Sequence, residues 1–154
     1  NVLKKYNKSI DGAEYIQSNN LNLHCQGFPY DETKFTESKA SLIPETLSHG
    51  LVFVTEKTYY AILNRHPFVI ASSTGILQEL KNMGYKTFDT VIDESYDLCR
   101  DFSRRLTMVI RSTKELLENI HDPQINDILE HNYTVFKAHV DTEINWLEEQ
   151  IGNI

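Results

Sequence analysis

Apolar residues follow two regimes along this chain. Before about residue 92 they come in short runs broken by Pro, Gly and Ser; beyond Asp93 they recur every three or four positions to the end. Residues 1–38 are polar, with apolar islands of weak periodicity. A short helix is expected near Gly12–Gln17, then irregular chain or a strand at Leu21–Cys25. The run from Lys39 to Glu45 reads as a buried strand that stops before Pro44, where the missing N–H forbids further pairing. Gly50–Val54 fits either a strand or an extended loop. From Thr55 the spacing turns helical: Tyr59, Ile62 and Leu63 share a face, Thr55 supplies an N-cap, and Pro67 ends the helix near Asn64–His66.

Pro67–Ala71 is a wholly apolar strand candidate. Thr74–Gly84 reads as a helix capped by Thr74 and stopped by Gly84, and Tyr85–Phe88 as a short strand. Strand, helix, strand, helix, strand at this spacing predicts a parallel α/β unit with right-handed crossovers. In the second regime, Leu98, Phe102, Leu106, Val109, Leu116 and Ile120 mark one face of a long helix. Asp122-Pro123 then caps another, with Ile125, Leu129, Phe136, Val140, Leu147 and Ile151 inward. The two are expected to form an antiparallel pair against the sheet.

With 154 residues, about 40% of them hydrophobic, the chain is long enough for one core, so a single domain over 1–154 is expected. Its parts are an irregular segment (1–38), an α/β core (39–92) and a helical pair (93–154). A net charge of −7 argues against nucleic acid or an anionic membrane surface as partner. No run approaches the roughly 18 apolar residues of a membrane-spanning helix. Two cysteines, Cys25 and Cys99, make neither a disulfide framework nor a zinc site, and a reducing compartment, the cytoplasm of a cell or of a virus's host, is expected. The chain begins with Asn1 rather than Met, so it reads as processed or as part of a longer protein.

Candidate chemistry concentrates at Thr55-Glu56-Lys57, where a strand-like run hands over to a helix. A helix start presents unpaired N–H groups and the positive end of the dipole, and is a natural phosphate site. Lys57 adds a mobile positive charge there, and Glu56 is able to accept from ribose hydroxyls. The competing reading is an ordinary cap, with Glu56 complementing the dipole and Lys57 solvated. Ser72–Gly75 repeats the geometry, either as a second anion site or as a second cap. Asp93, Asp97 and Asp101 stand four apart beside Arg100, Arg104 and Arg105, as a carboxylate stripe or, more simply, as charges satisfying a helix start and its one-turn pairs. His139 and Glu143 are one turn apart, too few to make a metal site. His66 stands at a strand entrance, facing a cleft or satisfied within its loop. There is no DxD, GxSxG, Walker loop or GxGxxG.

Taken together, the stretch Ser41–Ser73 resembles the donor-binding core of fucosyltransferase-like glycosyltransferases of the GT-B class. There, a strand ends in Glu, commonly followed by Asn; about ten residues later Val/Ile-Thr-Glu-Lys opens a helix, and a Pro-containing strand follows. Here these are Glu45, Thr55-Glu56-Lys57 and His66–Ser73. The segment Leu80–Asp97 looks like small sugar-transferase-like proteins of viruses or bacteria. The resemblance implies a Rossmann-like half-domain that binds a nucleotide-sugar, a GDP-sugar first among them. Glu56 would bind its ribose and Lys57 its diphosphate, with Glu45 at the donor pocket and Phe53 near the nucleotide. No metal and no cofactor are implied, which agrees with the missing DxD.

The pattern departs at Thr46, where the family has Asn, and covers about a fifth of the chain. A complete GT-B enzyme has two such halves, and this chain holds one. The acceptor half, the acceptor itself and the catalytic base are therefore not identified. The expected function is the donor-binding half of a sugar-transferring enzyme. The rival is a non-catalytic structural or assembly protein, viral in origin, with a degenerate transferase-like fold and an oligomer formed through the C-terminal helices.

Overall fold

The computed structural model describes residues 21–23, 33–45 and 52–152. In chain order these form β1 (Leu21–Leu23), α1 (Thr33–Glu37), β2 (Ala40–Pro44), α2 (Glu56–Leu63), β3 (Phe68–Ala71) and α3 (Ile76–Asn82). A 3-10 turn (Ser95–Leu98), α4 (Phe102–Glu118) and α5 (Pro123–Gly152) complete it. The architecture is α/β, a short parallel sheet followed by two C-terminal helices. The helix expected near Gly12–Gln17 lies outside the described residues.

The sheet has the order β1-β2-β3, all parallel, with Leu21 opposite Ala40 and Leu42 opposite Val69. Pro44 is its last residue on β2, opposite Ala71, rather than lying beyond the strand. The ladder shows why it is tolerated. Ser41 and Glu45 donate their N–H groups to Pro67 and Ala71 across the β2–β3 gap, so odd positions face β3, and Pro44, an even position, owes that gap no donor. In β3 three consecutive residues, Phe68, Val69 and Ile70, are buried, the mark of a strand covered on both faces.

Further expectations are corrected. Thr33–Glu37 is helical inside the segment expected to be irregular; Phe35 anchors it, buried edge-on against the His66 ring. Tyr85–Phe88 forms no strand. Its backbone is bound instead by a side chain: the Lys86 N–H donates to Asn132 Oδ1 at 2.7 Å, and Asn132 Nδ2 donates to the Lys86 carbonyl at 2.9 Å. The first long helix starts at Phe102, not near Asp93, because Asp101 takes the N-cap and Leu98 closes the 3-10 turn before it. The inward face of α2 is Thr58, Ala61 and Ile62 rather than Tyr59, Ile62 and Leu63, and Leu63 is exposed.

The two C-terminal helices go to different supports. α4 rests on β3 and β2, whereas α5 packs on α2, and they make few contacts with one another. Ile125, Ile128 and Leu129 bury the first part of α5, and Tyr59 stacks near Phe136. From Lys137 to Ile151 every residue of α5 is exposed, so Val140, Leu147 and Ile151, expected inward, face solvent. No helix of the described residues is long and apolar enough to cross a membrane.

Candidate functional site

β2 and β3 end side by side, and the chain leaves both toward helix starts. In open parallel sheets this C-terminal edge is where ligands bind. The two helix starts adjoin: a Cβ on Gly75, before α3, would lie 3.7 Å from Val52 in the loop that leads into α2. Gly75 has φ +88, a left-handed conformation that suits glycine, and so it stands at the N-cap in place of Thr74.

Thr55 is the N-cap of α2, as expected; its hydroxyl accepts from the Lys57 N–H at 3.3 Å. What sequence spacing does not show is how Thr55 itself is held. Glu45, buried at the end of β2, accepts the Thr55 N–H at 3.0 Å on one carboxylate oxygen and the Thr55 hydroxyl on the other. The first oxygen also takes the Thr58 hydroxyl at 2.7 Å. Three donors from one short segment thus converge on a single carboxylate, fixing the start of α2 to the end of the sheet.

Lys57 is not solvated. Its side chain is 6% exposed, and Nζ donates to the Thr55 hydroxyl at 3.2 Å and to Glu56 Oε1 at 3.2 Å. The ammonium is therefore folded back over the start of its own helix. Glu56 is the opposite, 59% exposed. Its own backbone amide, then the Lys57 ammonium, hold its carboxyl below the usual carboxylate range. Phe53 projects from the loop, 62% exposed, so the structure gathers Glu45, Phe53, Thr55, Glu56 and Lys57 into one loop and helix start. Gly50–Val54 forms no strand where it is described, from Val52 onward.

The second helix start is already occupied. Asp97, from the 3-10 turn, accepts the Gly75 N–H on Oδ1 at 3.0 Å, and the amides of Ile76, Leu77 and Gln78 lie near it. Burial pushes its carboxyl up, and those amides pull the other way. The chain thus brings its own carboxylate to the Ser72–Gly75 turn. Asp93, Asp97 and Asp101 do not share a helix face. Asp93 precedes the 3-10 turn and accepts the Ser95 N–H, Asp97 caps α3, and Asp101 caps α4 through the Arg104 N–H at 2.7 Å. A one-turn pairing of Asp101 with an arginine side chain is thereby replaced by a backbone cap.

His66 is buried beside Phe35 and faces no cleft. His139 meets the Tyr85 hydroxyl, at 3.3 Å through Nδ1. Among the described residues no group of three His, Cys, Asp or Glu side chains is gathered closely enough to hold a metal ion.

Sequence reasoning passes over Glu94, whose carboxyl burial pushes up to about 7 while one oxygen accepts the Phe88 N–H at 2.8 Å. Nothing in its spacing marks it, since its neighbours come from the 87–94 turn folding back. A surface cavity of about 410 Å³ lies nearby, lined by Lys81, Lys86, Thr87, Asp89 and Asp127 among others. It includes none of the residues at the α2 start, and its charges balance internally, Lys81 bridging Asp89 at 2.8 Å. The α2 start, with its buried cation, remains the better candidate.

No family model, no curated protein and no solved structure matches the chain.

Proposed function

We propose that this chain is the donor-binding half of a glycosyltransferase and holds a nucleotide-sugar at the start of α2. One observation carries the reading: the Lys57 ammonium, almost removed from water, sits over a helix start, and among the described residues Glu56 is the charged group bonded to it. A diphosphate arriving there meets the backbone amides of the first turn and the lysine together, and both favour charge that grows on the leaving nucleoside diphosphate.

Each neighbour then has a part. Glu56, exposed and readily ionised, accepts from the ribose hydroxyls once Lys57 turns to the phosphates. Phe53 offers an exposed ring to the nucleobase. Glu45, with both oxygens engaged, is a positioning residue that keeps Thr55 and the helix start in place. The acceptor and the general base belong to a second half. A GDP-sugar is the first donor to test, and the cytoplasm, a reducing compartment that suits a chain with two cysteines and no disulfide framework in its spacing, is the one the reading implies.

Calorimetric titration of GDP-fucose and UDP-glucose into the wild type and Lys57→Met tests this. Methionine keeps the buried stem and removes the charge. Binding by the wild type, weakened about tenfold or more in the variant, is the expected result. Equal binding by both proteins, or none by the wild type, would sink the proposal.

A further inference from the structure

Among the described residues, most large apolar side chains that face solvent are clustered. Apart from Val52, Phe53 and Leu63, those of the described residues fall in two patches. The first is the projecting part of α5. Val140, Ile144, Leu147 and Ile151 are spaced four, three and four, which places them along one side of the helix as a continuous seam. Ile151 is 69% exposed. Asp141, Glu143 and Glu148 flank the seam. A helical stretch of this length is marginal in water by itself, so a seam of this kind is stabilised by whatever covers it.

The second patch lies where the 3-10 turn meets α4. Leu98, 82% exposed, is followed by Phe102 and Leu106, also exposed. Here the flanking charges are positive: Arg100, Arg104 and Arg105, the last with its guanidinium 5.8 Å from the Phe102 ring centre. Asp101, the acid in this group, is engaged as the α4 cap.

Within one chain the patches do not cover each other, since both are exposed and α4 and α5 make few contacts. Between two chains they are complementary in both properties, apolar to apolar and acidic to basic. A seam-to-seam dimer would instead oppose acid with acid. We infer that the chain self-associates head to tail, the acidic α5 seam of one copy seating on the basic Leu98–Leu106 patch of the next. Because two different surfaces meet, the contact is heterologous and closes into a ring or runs on as a filament. The inference is independent of the donor site.

Sedimentation velocity on the full chain tests it, with paired variants. Ile144→Glu/Leu147→Glu removes the seam, and Leu98→Glu/Phe102→Glu removes the patch. All four side chains are exposed, and circular dichroism checks that helix content is kept. The wild type should form concentration-dependent species above 17.9 kDa that weaken as salt is raised. Each variant alone should be monomeric, or associate about tenfold more weakly or worse, whereas a mixture of the two should give a one-to-one complex. Single reversals, Arg104→Glu and Glu148→Arg, should each weaken association and restore it when mixed. A monomeric wild type overturns the inference. So does a patch variant that still dimerises through its seam, or a mixture that stays monomeric.

Discussion

Glu45 and Thr55 are joined twice, through the Thr55 N–H at 3.0 Å and through its hydroxyl, one bond to each carboxylate oxygen. Ten positions apart in sequence, they lock the end of β2 to the start of α2. Replacing Glu45 by Ala leaves a buried N–H and two hydroxyls without their acceptor, and should cost about 3 kcal/mol. Gln keeps the oxygen for the Thr55 N–H and the Thr58 hydroxyl but turns an amide toward the Thr55 hydroxyl, which already accepts twice from Lys57, so Glu45→Gln should cost less than alanine, about 1–2 kcal/mol. Urea midpoints of the two variants check the order; equal losses would show that the carboxylate is not the organising group.

Asn132 should be as costly to lose as a core leucine. It is 1% exposed and satisfies both the N–H and the carbonyl of Lys86. Asn132→Leu strands both backbone groups and should cost about 2–4 kcal/mol in chemical denaturation. Asn132→Asp keeps the acceptor for the Lys86 N–H but offers the carbonyl no donor, and should fall between. A leucine variant as stable as wild type would mean that the 85–88 segment rebinds elsewhere.

At Arg65 the usual order of substitutions should invert. Its φ of 47 is left-handed, and it closes α2 with the His66 N–H bonded to the Ala61 carbonyl, a position where glycine is normal. Its side chain bridges Glu130 at 2.7 Å and lies 3.6 Å from the Tyr133 ring centre, tying α2 to α5. Alanine loses those contacts and keeps the strained backbone; glycine loses them and relieves it. Thermal melts should therefore rank Arg65→Gly above Arg65→Ala, although glycine is the poorer helix former.

Glu94 makes stability depend on pH near neutrality. Its carboxyl is raised from 4.5 to about 7, burial being the main cause. The folded chain then binds more protons than the unfolded chain between those values, so stability falls as pH rises through this window. Asp97, also raised by burial, adds to the same trend. Exposed Asp93 and Glu56 are shifted the other way, so their contributions are lost as pH falls. Glu94→Gln keeps an acceptor for the Phe88 N–H without the charge. It should flatten the decline, and should be more stable than wild type at pH 8 by about 1–3 kcal/mol. Parallel urea profiles of the two proteins across pH 5–8 would remove Glu94 as the cause.

The sheet and the start of α2 were legible because their signals are local: apolar runs for β2 and β3, Thr55 as a cap, with Gly84 as the stop of α3. The larger misreadings arose where periodicity and alternation do not say what a face or a strand will pair with. Tyr85–Phe88 has a strand's alternation, but Asn132 on α5 takes the pairing role. Leu98, Phe102, Val140 and Ile151 have a core helix's spacing, and periodicity alone does not tell an intramolecular face from one turned outward. At the candidate site, the residue types were readable, while the roles of Glu45 as anchor and Asp97 as resident carboxylate depend on chain reversals that spacing does not encode.

Tyr96 is buried, with its hydroxyl close to the backbone of Ile70. Ile70 is an even position of β3, so its backbone groups point away from β2, toward the side where the described residues place no further strand. The 3-10 turn therefore stands as a gatekeeper against strand addition on that side. A lesion that frees Tyr96, by proteolysis or local melting of residues 93–98, would leave the Phe68–Ala71 strand as a template for cross-β growth. Aggregation of this chain should thus begin with loosening of that turn, well before the sheet itself unfolds.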